Sequence, residues 1–137
     1  MRVDGKITGQ IEKGLLVLVG VEDADTDEDI EWLTKKIAGM RIFDDENGVM
    51  NRSVTDVEGE ILSISQFTLM GDVRHGKRPS WIRAERPEEA NDMYMRFNEA
   101  LRAKGIRVEE GVFQAEMLVE IHNDGPVTIL LDSKKTF

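Results

Sequence analysis

Residues 61–69 read Ile-Leu-Ser-Ile-Ser-Gln-Phe-Thr-Leu, and a loop rich in arginine and lysine follows them. The apolar residues predict a β-strand over this whole stretch, because isoleucine, leucine and phenylalanine recur with polar residues between them. Ser63, Ser65, Gln66 and Thr68 are more polar side chains than a strand in an ordinary core carries. Since they lie near the strand's end, directly before a cationic loop, we predict that they face a ligand.

The loop of residues 74–86, called the basic loop below, is the second unusual feature. Its basic residues are Arg74, Lys77, Arg78, Arg83 and Arg86, and its one acid is Glu85. The loop therefore has a net charge of +4 in a chain whose net charge is −9. A charge run is usually a solvated face, but this contrast with an acidic remainder favours a local site for phosphate.

Length and composition exclude several classes of protein. The 137 residues predict one domain over 1–137, and 33% charged with 40% hydrophobic residues is typical of a globular protein. The chain has no cysteine and only two histidines, so we expect no disulfide, no metal site and no cofactor. The longest apolar run, residues 15–19, is too short to cross a membrane, and we expect a cytoplasmic protein.

Two helices are predicted from their end signals and apolar spacing. Thr26 before three acids predicts the start of a first helix that ends at Gly39. Pro87 followed by two glutamates predicts the start of a second helix that ends near Gly105. The apolar stripe of the second helix predicts a core face; its members are Ala90, Met93, Tyr94, Phe97 and Leu101.

The remaining apolar segments predict strands. Residues 15–21 form a continuous apolar run, residues 113–121 alternate between apolar and polar, and residues 127–131 form a last apolar run. Asp4-Gly5 and Asn47-Gly48 predict hairpin turns. Strands with two interspersed helices favour an α+β domain with mostly antiparallel or mixed sheets.

Two motifs resemble the signatures of the D-aminoacyl-tRNA deacylase (D-tyrosyl-tRNA deacylase) family. The first is Ser-Gln-Phe-Thr-Leu at residues 65–69, and the second is Asn-x-Gly-Pro-Val-Thr at residues 123–128. The resemblance covers nearly the whole chain. It implies two sheets with the helices in one layer, a homodimer, and an active site at the dimer interface.

The resemblance implies that the chain hydrolyses the ester bond of D-aminoacyl-tRNA and of mischarged glycyl-tRNA. In that reading Ser65, Gln66, Phe67 and Thr68 line the catalytic pocket, backbone amides stabilise the oxyanion, and Phe67 contacts the terminal adenosine. From the residues alone it is equally plausible that Gln66 is a buried amide hydrogen-bonded to backbone and that Phe67 is a core residue. Arg74, Lys77 and Arg78 are expected to hold the acceptor end of the tRNA.

From the residues, Thr68 is either a nucleophile or a β-branched residue whose hydroxyl bonds backbone. Neither His75 nor His122 has a carboxylate at a spacing that would indicate a catalytic triad, so no nucleophile–histidine–acid pattern is present. An aminoacyl ester is already activated. We therefore favour a positioned water, assisted by the 2′-hydroxyl of the terminal ribose, with Thr68 in a positioning role.

Base rates alone predict a trans bond between Gly125 and Pro126. The resemblance implies a cis bond instead, whose carbonyls enter the partner subunit's pocket and capture the amino group of the D-aminoacyl substrate. The side chain of an L-amino acid would then clash with rigid backbone. Asn123 is expected to shape that loop. Met117, in the pattern Gly-x-Phe-x-Ala-x-Met at residues 111–117, either lines the pocket or belongs to the core.

Members of the family open with a strand containing Gln-Arg-Val before the hairpin that begins here at Val3. Met1 and Arg2 run directly into Val3, so we expect the chain as given to lack that strand. Both a true deletion and a gap in the sequence are compatible with this.

Two other functions remain open from the sequence. One is a non-catalytic module that binds RNA 3′ ends through the basic loop. The other is a homodimeric scaffold whose polar strand lies at its interface, although five cations do not suit an apolar interface.

Overall fold

The computed structural model describes residues 1–137. The elements in chain order are β1 (Arg2–Val3), β2 (Lys6–Ile7), β3 (Gly14–Val19), α1 (Asp27–Gly39), β4 (Phe43–Asp44), β5 (Met50–Arg52), β6 (Glu60–Ser65), a 3₁₀ helix (Phe67–Met70), α2 (Pro87–Arg102) and β7 (Val108–Glu110).

Both predicted helices are confirmed and begin where their start signals predict; α1 ends at Gly39 as expected, whereas α2 ends at Arg102, before Gly105. The backbone N–H of Thr26 donates to the Asp29 carboxylate at 2.8 Å, which completes the first turn of α1. Pro87 opens α2, where it has no N–H to leave unpaired. The apolar stripe of α2 is buried as predicted, together with Asn98. Neither helix is long and apolar enough to cross a membrane.

A three-stranded sheet lies at the centre, in the order β3-β6-β7. β6 pairs in parallel with β3 from Gly14↔Glu60 to Val19↔Ser65, and it pairs in parallel with β7 on its other side. Antiparallel strand pairs form the hairpins β1–β2 and β4–β5, at the two predicted turns, and isolated antiparallel bridges occur elsewhere. The α+β class is confirmed, with mixed pairing divided between a parallel sheet and antiparallel hairpins.

The two helices cover one face of this sheet. The main core lies between them, where Ile61 of β6 and Val108 of β7 pack with Ile37, Phe97 and other buried residues. Within this core the Tyr94 hydroxyl donates to the Ser63 carbonyl at 2.7 Å and ties α2 to the middle strand. A buried hydroxyl needs such a partner, because an unpaired one is costly.

The other face of the sheet carries a smaller apolar cluster. Leu62 and Ile64 point to this side and pack with Met1, while Met117 and Val119 cover them. Residues 61–64 are all buried, and their side chains point alternately to the two faces, so the middle strand is covered on both faces as its composition requires.

Three predicted strands differ from the structure. The strand predicted over 61–69 ends at Ser65, because the chain turns there into the 3₁₀ helix. Residues 113–119 keep the predicted alternation of burial, but their only ladder contact is the bridge from Leu118 to Arg2. Residues 127–131 form no strand, and residues 127–130 are exposed. In each case the prediction rested on the spacing of apolar residues alone, which does not specify the neighbouring strand that a β-strand needs as its hydrogen-bonding partner.

Candidate functional site

Ser65, Gln66, Phe67 and Thr68 form a tight turn at the carboxyl end of the middle strand, called the signature turn below. Ser65 is the last residue of β6, and the Gln66 N–H donates to the Val19 carbonyl at 2.8 Å. The Leu69 N–H then donates to the Gln66 carbonyl at 3.2 Å, which closes the first turn of the 3₁₀ helix. The last ladder bond of the sheet thus fixes where the turn begins.

Two glycines let this turn pack closely against its neighbours. A Cβ at Gly20 would lie 3.1 Å from the Leu69 Cβ, so glycine allows the 3₁₀ helix to lie against the end of β3. A Cβ at Gly71 would lie 2.8 Å from Trp81 and 3.0 Å from the Thr68 carbonyl oxygen. The Trp81 ring therefore covers the end of the turn, and its centroid lies 5.2 Å from that of Phe67 in an edge-to-face arrangement.

The signature turn leaves two neighbouring backbone donors free. The N–H groups of Phe67 and Thr68 donate to no acceptor in this chain, as is usual for the first residues of a helix. Both side chains are exposed, and Phe67 is 57% exposed. Free amides at an exposed turn can stabilise the negative oxygen that forms when an ester is attacked.

Gln66 and Thr68 contact each other. The Gln66 side-chain amide donates to the Thr68 hydroxyl oxygen, which leaves the Thr68 hydroxyl proton available for another acceptor. No histidine, aspartate or glutamate is hydrogen-bonded to Thr68. The structure thus gives Thr68 a hydrogen-bond donor beside it but no hydrogen-bonded general base.

The basic loop begins close to this turn and is closed by backbone pairing. Asp72 and Ser80 exchange two backbone hydrogen bonds of 2.8 Å each, so that residues 73–79 project as a small loop. Arg74 is held by Asp72 through two side-chain bonds of 2.9 and 2.6 Å. Those bonds hold the pKa of the Asp72 carboxyl far below its ordinary value. Lys77, Arg78 and Arg86 are exposed and form no ion pair, so they are the loop's available cations.

The second signature lies in a segment that is exposed over its whole length. Residues 121–130, called the selector segment below, contain Gly125 and Pro126, and the bond between them is cis. Asn123 braces the loop, because its side chain accepts from the Val127 N–H and donates to the Thr128 hydroxyl, both at 3.1 Å. No hydrogen bond or ion pair joins this segment to the signature turn of the same chain.

Met117 is partly buried beside the middle strand. It packs on the small cluster formed by Met1, Leu62 and Ile64, and its sulfur would lie 2.9 Å from a Cβ at Gly111. The structure therefore gives Met117 a packing role in this protomer, and its contact with substrate stays a prediction.

An open depression of about 380 Å³ lies at the opposite end of β6. Its lining includes Thr55, Glu60 and Arg107, and it contains none of the predicted site residues. Arg107 is already paired with Glu60 and Glu109 there. We therefore place the candidate site at the signature turn and not in this depression.

The sequence reasoning missed three contacts at the site. Trp81 was not singled out, although an aromatic residue inside a cationic loop is a signal. Asp72 lies just before the basic loop and was not counted in the net charge of that loop. The ion pairs of Glu22 join residues more than 60 positions apart, and no local pattern predicts them.

Comparison with known proteins gives one consistent answer. The sequence profile of a family described as D-Tyr-tRNA(Tyr) deacylase matches residues 1–132. The D-aminoacyl-tRNA deacylase of Koribacter versatilis is 62% identical over 135 residues, which cover 98% of this chain and 91% of the relative. The D-aminoacyl-tRNA deacylase of Thermotoga petrophila is 57% identical with the same coverage.

Solved structures agree. A protein described as the c-Myc DNA Unwinding Element Binding Protein superposes with a TM-score of 0.89 at 41% identity, over 96% of this chain and 89% of its own. A structure described as a probable eukaryotic D-amino acid tRNA deacylase superposes with a TM-score of 0.66 at 20% identity, over 77% of each chain, and supports the fold alone. The profile and the close relatives decide the identity: the chain belongs to the D-Tyr-tRNA(Tyr) deacylase family.

Proposed function

We propose that this chain hydrolyses the ester bond of D-aminoacyl-tRNA at the signature turn. As a family member it is a hydrolase of aminoacyl-tRNA ester bonds. The observation that carries the assignment of the site is the pair of free amides at Phe67 and Thr68, beside a loop with available cations. The reaction adds water to the carbonyl carbon, breaks the bond to the ribose oxygen, and releases a D-amino acid and tRNA.

The free amides act as the oxyanion donors. They are fixed by the end of the β6 ladder, so they need no rearrangement when the carbonyl oxygen becomes negative. Phe67 lies beside these amides and is exposed enough to stack on the terminal adenine. The edge-to-face contact with Trp81 holds the Phe67 ring in place.

Thr68 positions the attacking water. Its oxygen accepts from Gln66, so its proton points to a further acceptor, and no base is present to turn it into an alkoxide. The 2′-hydroxyl of the terminal ribose assists the water and makes the RNA part of the catalyst. A trapped acyl ester on Thr68 would contradict this route.

A second copy of the chain supplies the chiral selection. Gly125 and Pro126 form no hydrogen bond with their own signature turn, and their segment exposes large apolar side chains. In a homodimer the selector segment enters the partner's pocket, where rigid backbone excludes the side chain of an L-amino acid. Glycine has no side chain to exclude, so glycyl-tRNA is also a substrate.

The basic loop holds the acceptor end of the tRNA. Lys77 and Arg78 contact its phosphates, and Arg74 contributes less because Asp72 already pairs with it. Such contacts fix position without reading sequence. Aminoacylated tRNA is a cytoplasmic substrate, so the reaction takes place in the cytoplasm, and residues 1–137 act as one domain.

Deacylation of D-Tyr-tRNA and L-Tyr-tRNA, measured side by side, tests this function. Rapid loss of the D-ester alone is expected, with weaker discrimination in the Pro126→Ala variant. If neither ester is hydrolysed while tRNA still binds, the chain is instead a module that binds RNA 3′ ends through the basic loop.

A further inference from the structure

Four charged side chains meet where the base of the basic loop approaches the carboxyl-terminal tail. The Lys134 ammonium lies 2.9 Å from the Glu22 carboxylate and 3.2 Å from the Asp25 carboxylate. Arg83 lies 3.5 Å from the other oxygen of Glu22. Glu22 therefore holds a residue of the basic loop with one oxygen and a residue of the tail with the other.

The pairing is partly shielded from water. The side chains of Glu22 and Asp25 are 26% and 14% exposed, so their pairs are less screened than those at an open surface. The Glu22 N–H also donates to Asp25 at 2.7 Å, which fixes the two acids relative to each other. The hydrogen bond to Glu22 raises the pKa of the Lys134 ammonium above its ordinary value, because the carboxylate favours the charged form.

The selector segment is anchored on both sides, and the charged cluster holds its downstream side. Upstream of the segment, Leu118 exchanges two backbone bonds with Arg2, and Glu120 pairs with the Arg2 side chain at 3.0 Å. Downstream, Leu131 packs against the main core and Lys134 follows it in the charged cluster. Between these two anchors, residues 121–130 are exposed, so the anchors decide where the segment lies.

The base of the basic loop is paired with the backbone on both sides of Glu22. The Asp23 N–H donates to the Arg83 carbonyl at 2.9 Å, and the Glu85 N–H donates to the Val21 carbonyl at 3.0 Å. The loop therefore cannot shift at Arg83 without moving the backbone that carries Glu22.

We propose that Glu22 is a positioning residue that joins the basic loop to the selector segment through Arg83 and Lys134. In the dimer proposed above, this contact ties the basic loop beside one pocket to the selector segment that enters the partner's pocket, so each selector segment is held in place by its own chain. The inference rests on the function proposed above and adds to it a specificity determinant outside both signature motifs.

Deacylation of D-Tyr-tRNA and L-Tyr-tRNA by Lys134→Met and Glu22→Gln variants tests the inference. The ratio of kcat/KM for the D-ester to that for the L-ester is expected to fall by roughly tenfold in each, the size usual for coupling through packed networks. A loss of folded protein alone scales both rates equally and leaves this ratio unchanged. The double variant is expected to lose no more than the worse single variant, because the two residues act through one contact.

Two further variants make the test specific. Lys135→Met removes the same charge from the neighbouring position, whose ammonium lies over the Trp32 ring, and is expected to keep the wild-type ratio. Lys134→Arg retains the cation and is expected to restore most of the ratio. Unchanged ratios in Lys134→Met and Glu22→Gln, with a discriminating wild type, would overturn this inference alone. A wild type that hydrolyses no D-ester would overturn the proposed function and this inference together.

Discussion

The hydroxyl of Thr68 accepts a hydrogen bond from Gln66 and has no base beside it, so its replacement separates two mechanisms. Thr68→Ala is expected to lower kcat for D-Tyr-tRNA by about 10- to 100-fold, the effect of one lost hydrogen bond to a charged centre. Removing a true nucleophile costs about 10⁶-fold in other hydrolases. Single-turnover deacylation measures the difference, with Thr55→Ala as the control at the other end of β6.

Some side chains at this scale could be predicted and others could not. The tyrosine in the stripe of α2 was predicted to be buried, and it is, because its neighbours at helical spacing are apolar. Arg74 was assigned to tRNA, yet the structure pairs it with Asp72, two residues earlier. The net charge of a stretch of sequence does not predict this contact, because the pairing depends on how the loop closes between Asp72 and Ser80.

At the scale of the elements, Gly71 permits the contact between the signature turn and Trp81. Gly71→Ala places a methyl group 2.8 Å from the ring and 3.0 Å from the Thr68 carbonyl, so the turn or the ring must move. We expect kcat/KM for D-Tyr-tRNA to fall at least roughly tenfold, because a displacement of about 1 Å is costly in catalysis. Steady-state deacylation measures it.

Gly39→Ala is the matched control for that substitution. A Cβ at Gly39 meets no atom within 4 Å, and the residue ends α1. Its activity is expected to equal that of the wild type. Equal activity in Gly71→Ala would show that the packing of Trp81 does not determine the geometry of the turn.

The helices could be predicted because caps and apolar spacing are local, as at Thr26 and Pro87. The end of β6 could not, because it depends on the Gln66 N–H meeting the Val19 carbonyl across the sheet. Residues 113–119 also show that a local pattern does not by itself determine a strand. They bury alternate side chains as a strand does, but a strand also needs a neighbour, and only Leu118 has one.

At the scale of the whole molecule, stability in acid depends on carboxylates that accept backbone hydrogen bonds. The Ser53 N–H lowers the pKa of Asp56 below its ordinary value. A lowered native pKa adds stability above the pKa of the unfolded chain, near pH 4, and that stability is lost as pH falls through the native pKa. Asp56→Asn keeps a neutral acceptor and is expected to flatten the decline below pH 4.

Urea unfolding at pH 7, 4 and 3 measures this decline. Asp4→Asn removes the same charge from the exposed turn between β1 and β2, and we expect it to keep the slope of the wild type. The same slope in Asp56→Asn and wild type would show that the Ser53 contact contributes nothing to acid sensitivity.

Assembly is the other property of the whole molecule, and the selector segment carries its test. Leu130 is 71% exposed in one protomer, and Ile121 and Ile129 are exposed in the same segment. Apolar side chains concentrated in one exposed segment are typical of an interface. In sedimentation velocity the wild type is expected at twice the chain mass of 15.5 kDa, and Leu130→Lys is expected to weaken dimerisation at least roughly tenfold, because an interface lysine loses its hydration.

Discrimination between D- and L-Tyr-tRNA is then expected to depend on dimer formation. If the partner's Gly125 and Pro126 complete each pocket, discrimination between D- and L-Tyr-tRNA falls in Leu130→Lys and recovers as protein concentration rises. Val49→Lys alters an equally apolar side chain, 57% exposed in the β4–β5 hairpin, and is expected to change neither mass nor discrimination. A monomeric wild type with full discrimination would place the selecting backbone within one chain and remove the partner from the mechanism.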